Sequence, residues 1–197
     1  MKFQKLTIKN IASIENAEIN FDAEPLSNSG IFLITGKTGS GKSTILDCIC
    51  LALYGITPRL KSTNIQGVTI DLDKEVSVND PRVLMRRNTS ESYVCLTFIG
   101  NDKNSYQAEW SCRRANGKID GKLQDKKRCL TNLTKNFTYS KLDEIVPEIK
   151  RIIGLDFEQF LRTVMLSQGE FTRFLNSKDN EKAEILEKLT GVDIYSR

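Results

Sequence analysis

The residues Gly36-Lys37-Thr38-Gly39-Ser40-Gly41-Lys42-Ser43 fit the pattern G-x-x-x-x-G-K-[ST] at every fixed position. Those residue types at that spacing suit phosphate. Glycines let the backbone turn tightly, so that successive N–H groups can converge on phosphate oxygens. A helix that starts at the loop adds the positive end of its dipole. The Lys42 ammonium can then reach the β- and γ-phosphates, and the Ser43 hydroxyl can ligate Mg²⁺. Gly36, Lys37, Thr38, Gly39, Ser40, Gly41, Lys42, Ser43 and the adjoining Thr44 are the candidate binding residues for a nucleoside triphosphate.

A strand before the loop and a helix after it are the context this motif predicts. Ile31-Phe32-Leu33-Ile34 is a continuous apolar run, which reads as a strand buried on both faces. Beyond the loop, Ile45, Leu46, Ile49 and Leu53 recur at helical spacing, and Tyr54-Gly55 followed by Pro58 is a usual helix stop. The rest of the chain supplies the frame. Leu6 and Ile8 alternate with polar residues, as do Ile19 and Phe21, predicting an antiparallel pair of half-buried strands. Val94, Leu96 and Phe98, then Tyr106, Ala108, Trp110 and Cys112, alternate on either side of a turn at Gly100–Asn104, a β-hairpin pattern. A further strand is expected around Cys129-Leu130. From Thr57 to Thr89 the chain reads as a long surface loop with room for a short helical turn.

Leu142, Ile145, Val146, Ile149, Ile152 and Ile153 form a helical stripe that Pro147 should kink or restart, with Gly154 as its stop. Asp156 and Gln159 have the spacing of a capping box. Phe171, Phe174 and Leu175 begin another short helix, and residues 179–189 read as charged and helical.

Composition excludes several classes. The 197 residues, 39% hydrophobic and 27% charged, make a folded domain with a real core. No apolar run approaches membrane-span length, and the N-terminus lacks a signal-peptide core, so a cytoplasmic protein with no membrane partner is expected. The net charge of +4 permits nucleic-acid contact without arguing for it. With no histidine, histidine-based metal sites and general bases are excluded within these residues. Five scattered cysteines without C-x-x-C pairs suggest reduced thiols, with Cys48 and Cys50 as core filler.

Taken together, several stretches resemble the SbcC family, the ATPase subunits of bacterial SbcCD nucleases in the SMC-like branch of ABC-type ATPases. They are the loop with Leu33 to Gly36 and Ile45 to Gly55, then Thr57-Pro58-Arg59-Leu60, and Tyr106-x-Ala108-x-Trp110 followed by Arg114-Ala115-Asn116. Val164 to Phe171 with Phe174-Leu175 resembles that family's Q-loop, and Ala183 to Gly191 the approach to its long coiled coil. The resemblance implies an α/β fold: the N-terminal half of an ABC-type P-loop head, with a mixed sheet core and an antiparallel β subdomain. It implies residues 1–178 as that half-head and 179–197 as the start of a helix leading to a coiled coil.

It also implies ATP and Mg²⁺ as ligands, with Lys42 and Gln168 catalytic and Ser43 and Gln168 on the metal. The implied partners are an SbcD-like nuclease, the C-terminal half of the head, a second head in a homodimer, and DNA bound largely without regard to sequence. The implied role is ATP-driven control of that nuclease in double-strand break repair, recombination and hairpin processing. Leu166-Ser167-Gln168-Gly169-Glu170 superficially matches the ABC signature, but a polar helical stretch follows it rather than an apolar strand ending in acidic residues, so the Q-loop reading is preferred.

Some expected parts are missing from the sequence. There is no Walker B strand ending in Asp-Glu, no convincing signature loop and no switch histidine, which suggests an N-terminal fragment that cannot turn over ATP alone. After the first strand, Asn10-Ile11-Ala12-Ser13 stands where some relatives carry a basic residue near the nucleotide; Ala12 cannot supply it, and Asn10 and Ser13 are weak substitutes. Arg86-Arg87, Arg113-Arg114, Lys118, Lys122 and Lys126-Lys127-Arg128 form a basic set that could track DNA phosphates. Three alternatives remain open. A structural SMC-type tethering ATPase would lack a nuclease-binding site, an ABC transporter ATPase would have a membrane subunit, and a self-contained P-loop kinase would need its own acidic metal ligand and lid.

Overall fold

The computed structural model describes residues 1–61, 76–77 and 79–164, and the chain divides into two compact units, Met1–Gly154 and Leu155–Arg197. The expected Q-loop around Gln168, the helices after it and the 178/179 boundary lie outside the described residues.

Unit one is built on a six-stranded sheet. β1 (Lys2–Ile11) and β2 (Ile14–Asn20) form the expected antiparallel pair. β3 (Glu91–Ile99) and β4 (Ser105–Arg113) form the expected hairpin, and β5 (Lys127–Asn132) and β6 (Phe137–Tyr139) complete the order β2-β1-β3-β4-β5-β6. Among the described residues every strand pairing is antiparallel. Strand alternation at period two sends one set of side chains to each face. On the inner face Leu6, Leu96, Ala108 and Leu130 stand in one cross-strand row, and Ile8, Val94, Trp110 and Arg128 in the next. All eight are buried.

The helix α1 (Lys42–Tyr54) packs on this inner face against β1, β3 and β4. Cys48 to Leu53 are all buried, so the C-terminal half of the helix is embedded nearly all round. Gly55 ends it in the left-handed region at φ +71°, and its N–H donates to the Leu51 carbonyl. The short α2 (Pro58–Lys61) follows, and Pro81–Leu84 forms a 3₁₀ turn capped by Asp80.

The helix α3 (Leu142–Ile153) buries Ile145, Ile149, Ile152 and Ile153. It runs through Pro147 as one helix and does not restart there. The proline removes the bond to the Asp143 carbonyl, which lies in the exposed first turn where water can take that bond's place. In the second unit, α4 (Phe157–Thr163) begins with the expected capping box: Asp156 accepts from the Gln159 N–H, and the Gln159 side chain accepts from the Asp156 N–H.

The largest correction concerns the run before the glycine-rich loop. Residues Ile31 to Ile34 form no strand; Ile31 is 91% and Leu33 87% exposed. Phe32 alone turns toward the sheet, its ring 5.2 Å from that of Phe21. A strand buried on both faces needs a neighbour along each edge and a layer over each face. Among the described residues nothing pairs with this run.

Candidate nucleotide-binding site

The loop from Gly36 to Gly41 takes its shape from three glycines at positive φ: Gly36 at +154°, Gly39 at +83° and Gly41 at +92°. A Cβ at Gly36 would lie 2.7 Å from Ser40 Oγ, so a side chain there would force Ser40 to move. Gly41 is the N-cap of α1. It has no side-chain capping bond, and the first turn holds no carboxylate. The amide-rich, positive end of the helix therefore faces the loop without a competing anion from its own sequence. Ser40 N–H donates to the Lys37 carbonyl at 3.1 Å, and the first helical bond runs from Ile45 N–H to the Gly41 carbonyl at 3.0 Å.

Lys42 Nζ donates to the carbonyls of Gly36 at 2.6 Å and Lys37 at 2.8 Å. The ammonium thus bridges the mouth of the loop, where phosphate oxygens would compete for the same donors. Residues 36–40 and Ser43 are exposed, Lys42 is half-buried, and Gly41 and Thr44 are buried. Ser43 stands one residue inside the helix, beside that mouth. Glycines, uncapped amides, ammonium and hydroxyl together fit a bound triphosphate with its divalent cation. Among the described residues no cluster of three or more acidic or thiol ligands makes a metal site by itself.

The sole carboxylate of α1 is Asp47, and it is committed elsewhere. It is buried, and Arg59 Nη2 lies 2.7 Å from its Oδ2, tying the helix to the segment that follows it. Burial pushes the Asp47 pKa up, and Arg59 pulls it partly back. Nor is any thiol poised as a nucleophile. All five cysteines are free; burial pushes Cys112 up to about 11 and Cys129 to about 12, and it raises Cys48, Cys50 and Cys95 as well.

The turn joining β1 and β2 abuts the end of the loop: a Cβ on Gly41 would lie 3.3 Å from Ile14 Cγ1 and 3.5 Å from Ser13 Oγ. Asn10 and Ala12 both adopt positive φ there, +54° and +46°. The Asn10 side chain is occupied, donating to the Glu91 carbonyl at 2.9 Å. A cation does stand at this turn. Arg86 Nη1 donates to Ser13 O at 2.8 Å and lies 3.4 Å from Ala12 O, while Arg86 N–H donates to Asn10 O at 2.9 Å. With Ala12, Val83, Met85 and Arg87, Arg86 lines an open cavity of about 400 Å³. The sequence placed Arg86 only in the basic set, since nothing in local spacing joins it to the loop.

The basic set itself divides. Arg87, Arg113, Lys118, Lys122 and Lys127 are exposed, and Arg114 and Lys126 half-buried. Arg113 and Lys127 share an open cavity of about 550 Å³ with Lys9, opposed there by Glu91 and Asp125. Arg128 leaves the set: it is 9% exposed and points to the inner face, because it is in register with Trp110.

A glycine-rich loop of this geometry, running into an uncapped helix seated on a sheet, defines a P-loop nucleotide-binding domain. The chain belongs to the AAA domain family, whose model matches residues 5–196. It is 43% identical over 200 aligned positions to the C subunit of nuclease SbcCD from Pseudomonas aeruginosa, covering 100% of this chain and 16% of that protein. It is 39% identical over 198 positions to the corresponding SbcCD protein of Rhodobacter capsulatus, covering 99% and 16%. A probable DNA double-strand break repair Rad50 ATPase of Aquifex aeolicus is 29% identical over 193 positions, covering 98% and 17%. The chain therefore spans about 16% of the length of the first two relatives. Among the described residues no helix is long and apolar enough to cross a membrane.

Proposed function

We propose that this chain is the ATP-binding half of the head of an SbcC-like ATPase, a cytoplasmic protein that controls a partner DNA nuclease in double-strand break repair, recombination and hairpin processing. The observation that carries the nucleotide reading is Lys42 Nζ, held between the Gly36 and Lys37 carbonyls at the mouth of a loop with three positive-φ glycines. The similarity along the whole chain to the SbcC component of the SbcCD nuclease supports the nuclease link.

In this reading Gly36 to Thr44 hold the triphosphate, and Lys42 exchanges its two carbonyl contacts for β- and γ-phosphate oxygens. Ser43, joined by Gln168, ligands Mg²⁺. The bound cation neutralises charge that develops on the phosphates during transfer. Arg86, anchored on Ser13, stands at the base side of the loop and replaces the basic residue missing at Ala12. Residues 1–178 form the half-head, and residues 179–197 lead into a coiled coil.

The same reading gives the chain an SbcD-like nuclease, its own C-terminal head half and a second head as partners. DNA contact falls to the exposed members of the basic set, Arg87, Arg113, Lys118, Lys122 and Lys127, through phosphates rather than bases.

Hydrolysis is the discriminating experiment. Neither Lys42 nor Ser43 can polarise the attacking water, and losing one transition-state donor commonly costs about 10²–10³ in rate. The 197-residue chain should turn over ATP at background. Adding the C-terminal half of the head in trans should raise turnover, and Gln168→Ala should then lower it. Robust turnover by the chain alone, abolished by Lys42→Ala, would instead favour a self-contained enzyme.

A further inference from the structure

The P-loop helix is fixed at the end opposite its phosphate-facing start. Arg128 reaches from the inner face of β5, and its Nη2 donates to the Leu53 carbonyl at 2.7 Å. Leu53 lies in the last turn of α1, where unpaired carbonyls concentrate the negative end of the dipole. The guanidinium lies flat against Gly55: a Cβ there would sit 2.8 Å from Nη1, 2.9 Å from Cδ and 3.0 Å from Cζ. Burial alone shifts this group, pulling its pKa down to about 10, and it remains a cation at neutral pH. Its Nε has no hydrogen-bond partner among the described residues, and neither has the indole N–H of Trp110 beside it in register.

Stability is a poor reason for this arrangement. A buried cation without a carboxylate is costly, and an apolar side chain of similar size would fill the space at lower cost. What Arg128 provides is a directional bond between one carbonyl of α1 and one strand. The next residue on that strand, Lys127, faces the opposite side of the sheet, where it shares the 550 Å³ cavity with Lys9 and Arg113.

We propose that Arg128 is a positioning residue that ties the C-terminal end of α1 to β5, so that phosphate binding at the other end of the helix is transmitted to β5 and to the cavity on its far side, where Lys9, Arg113 and Lys127 face Glu91 and Asp125. The inference rests on the nucleotide reading above. A helix of 13 residues spans about 20 Å and moves as a stiff rod, so a shift at the loop arrives at Leu53. Coupling of this kind requires an element that both sites bias, and the Arg128–Leu53 bond makes α1 and β5 one such element.

The test is amide hydrogen exchange over residues 127–132 in the 197-residue chain, with and without MgATP, alongside calorimetric titration of MgATP. In the unsubstituted chain MgATP should slow exchange in β5 by about threefold or more. Arg128→Met should keep MgATP affinity within about threefold while the β5 response disappears, and Arg128→Lys, which keeps a cation near Leu53, should restore part of it. A β5 response that survives in Arg128→Met overturns the proposal, as does MgATP binding without any β5 response in the unsubstituted chain. Should Arg128→Met fail to fold by circular dichroism, Arg128→Lys decides: a response reduced about twofold or more supports the coupling, and a full response overturns it. No calorimetric binding by the unsubstituted chain would overturn the nucleotide reading itself, a distinguishable failure.

Discussion

Replacing Gly55 with alanine tests how firmly α1 is seated. Two costs arise from the structure. Gly55 sits at φ +71°, where an L-residue with a Cβ costs about 1–2 kcal/mol. The new methyl would also meet three guanidinium atoms of Arg128 at 2.8–3.0 Å, and that side chain is buried and cannot swing into solvent. Arg128 must therefore release the Leu53 carbonyl, and a hydrogen bond to a charged group contributes about 1.5–3 kcal/mol. The sum is about 2.5–5 kcal/mol. With a urea m-value of about 2 kcal/mol/M, the midpoint should fall by roughly 1.2–2.5 M.

The assay is built in. Trp110 is the sole tryptophan, is fully buried and neighbours Arg128 in register, so its fluorescence reports the transition where the strain is placed. A midpoint lowered by no more than about 1 M, which the backbone cost alone accounts for, would mean that Arg128 relaxes freely and that the close approach is not needed.

Two further outcomes follow from the site's charges. Asp47 has a pKa raised in the folded state by burial, so its contribution to stability is full below the ordinary value of 3.8 and is lost as pH rises through the raised value. Arg59→Ala removes the group that pulls that pKa back. The urea midpoint of the variant should therefore fall further behind the unsubstituted chain as pH rises above about 4, and adding Asp47→Asn should remove the extra slope. Parallel pH profiles would refute this. Arg86→Ala should weaken MgATP binding about tenfold or more by calorimetry, the scale of one lost charged hydrogen bond, while Arg87→Ala at the exposed neighbour should change it little. Equal effects of the two would remove Arg86 from the base side of the site.

Much of the site was legible in the sequence because a phosphate loop is local. Consecutive amides, a lysine and a hydroxyl must follow one another in the chain, and the spacing of Gly36, Gly41, Lys42 and Ser43 records that directly. The strands β1 to β4 were legible for the same reason, since alternation is a property of adjacent residues. The misses are non-local. Ile31 to Ile34 carry the composition of a doubly buried strand, but composition does not supply the neighbours that a strand must pair with. Arg86 reaches Ser13 through the tertiary fold, which no spacing announces. Arg128 was hidden by its charged neighbours Lys126 and Lys127, although counting back two residues from the buried Leu130 places it on the inner face. β6 is three residues long and offers too short a pattern to read.

The central claim is that Lys42 and its loop bind the phosphates of a nucleotide, and titration calorimetry of MgATP into the 197-residue chain and its Lys42→Ala variant tests it most directly. The account predicts saturable binding by the chain and an affinity lower by about tenfold or more in the variant, since a charged hydrogen bond contributes at least about 1.5 kcal/mol. Equal affinities, or no binding by the unsubstituted chain, would contradict it.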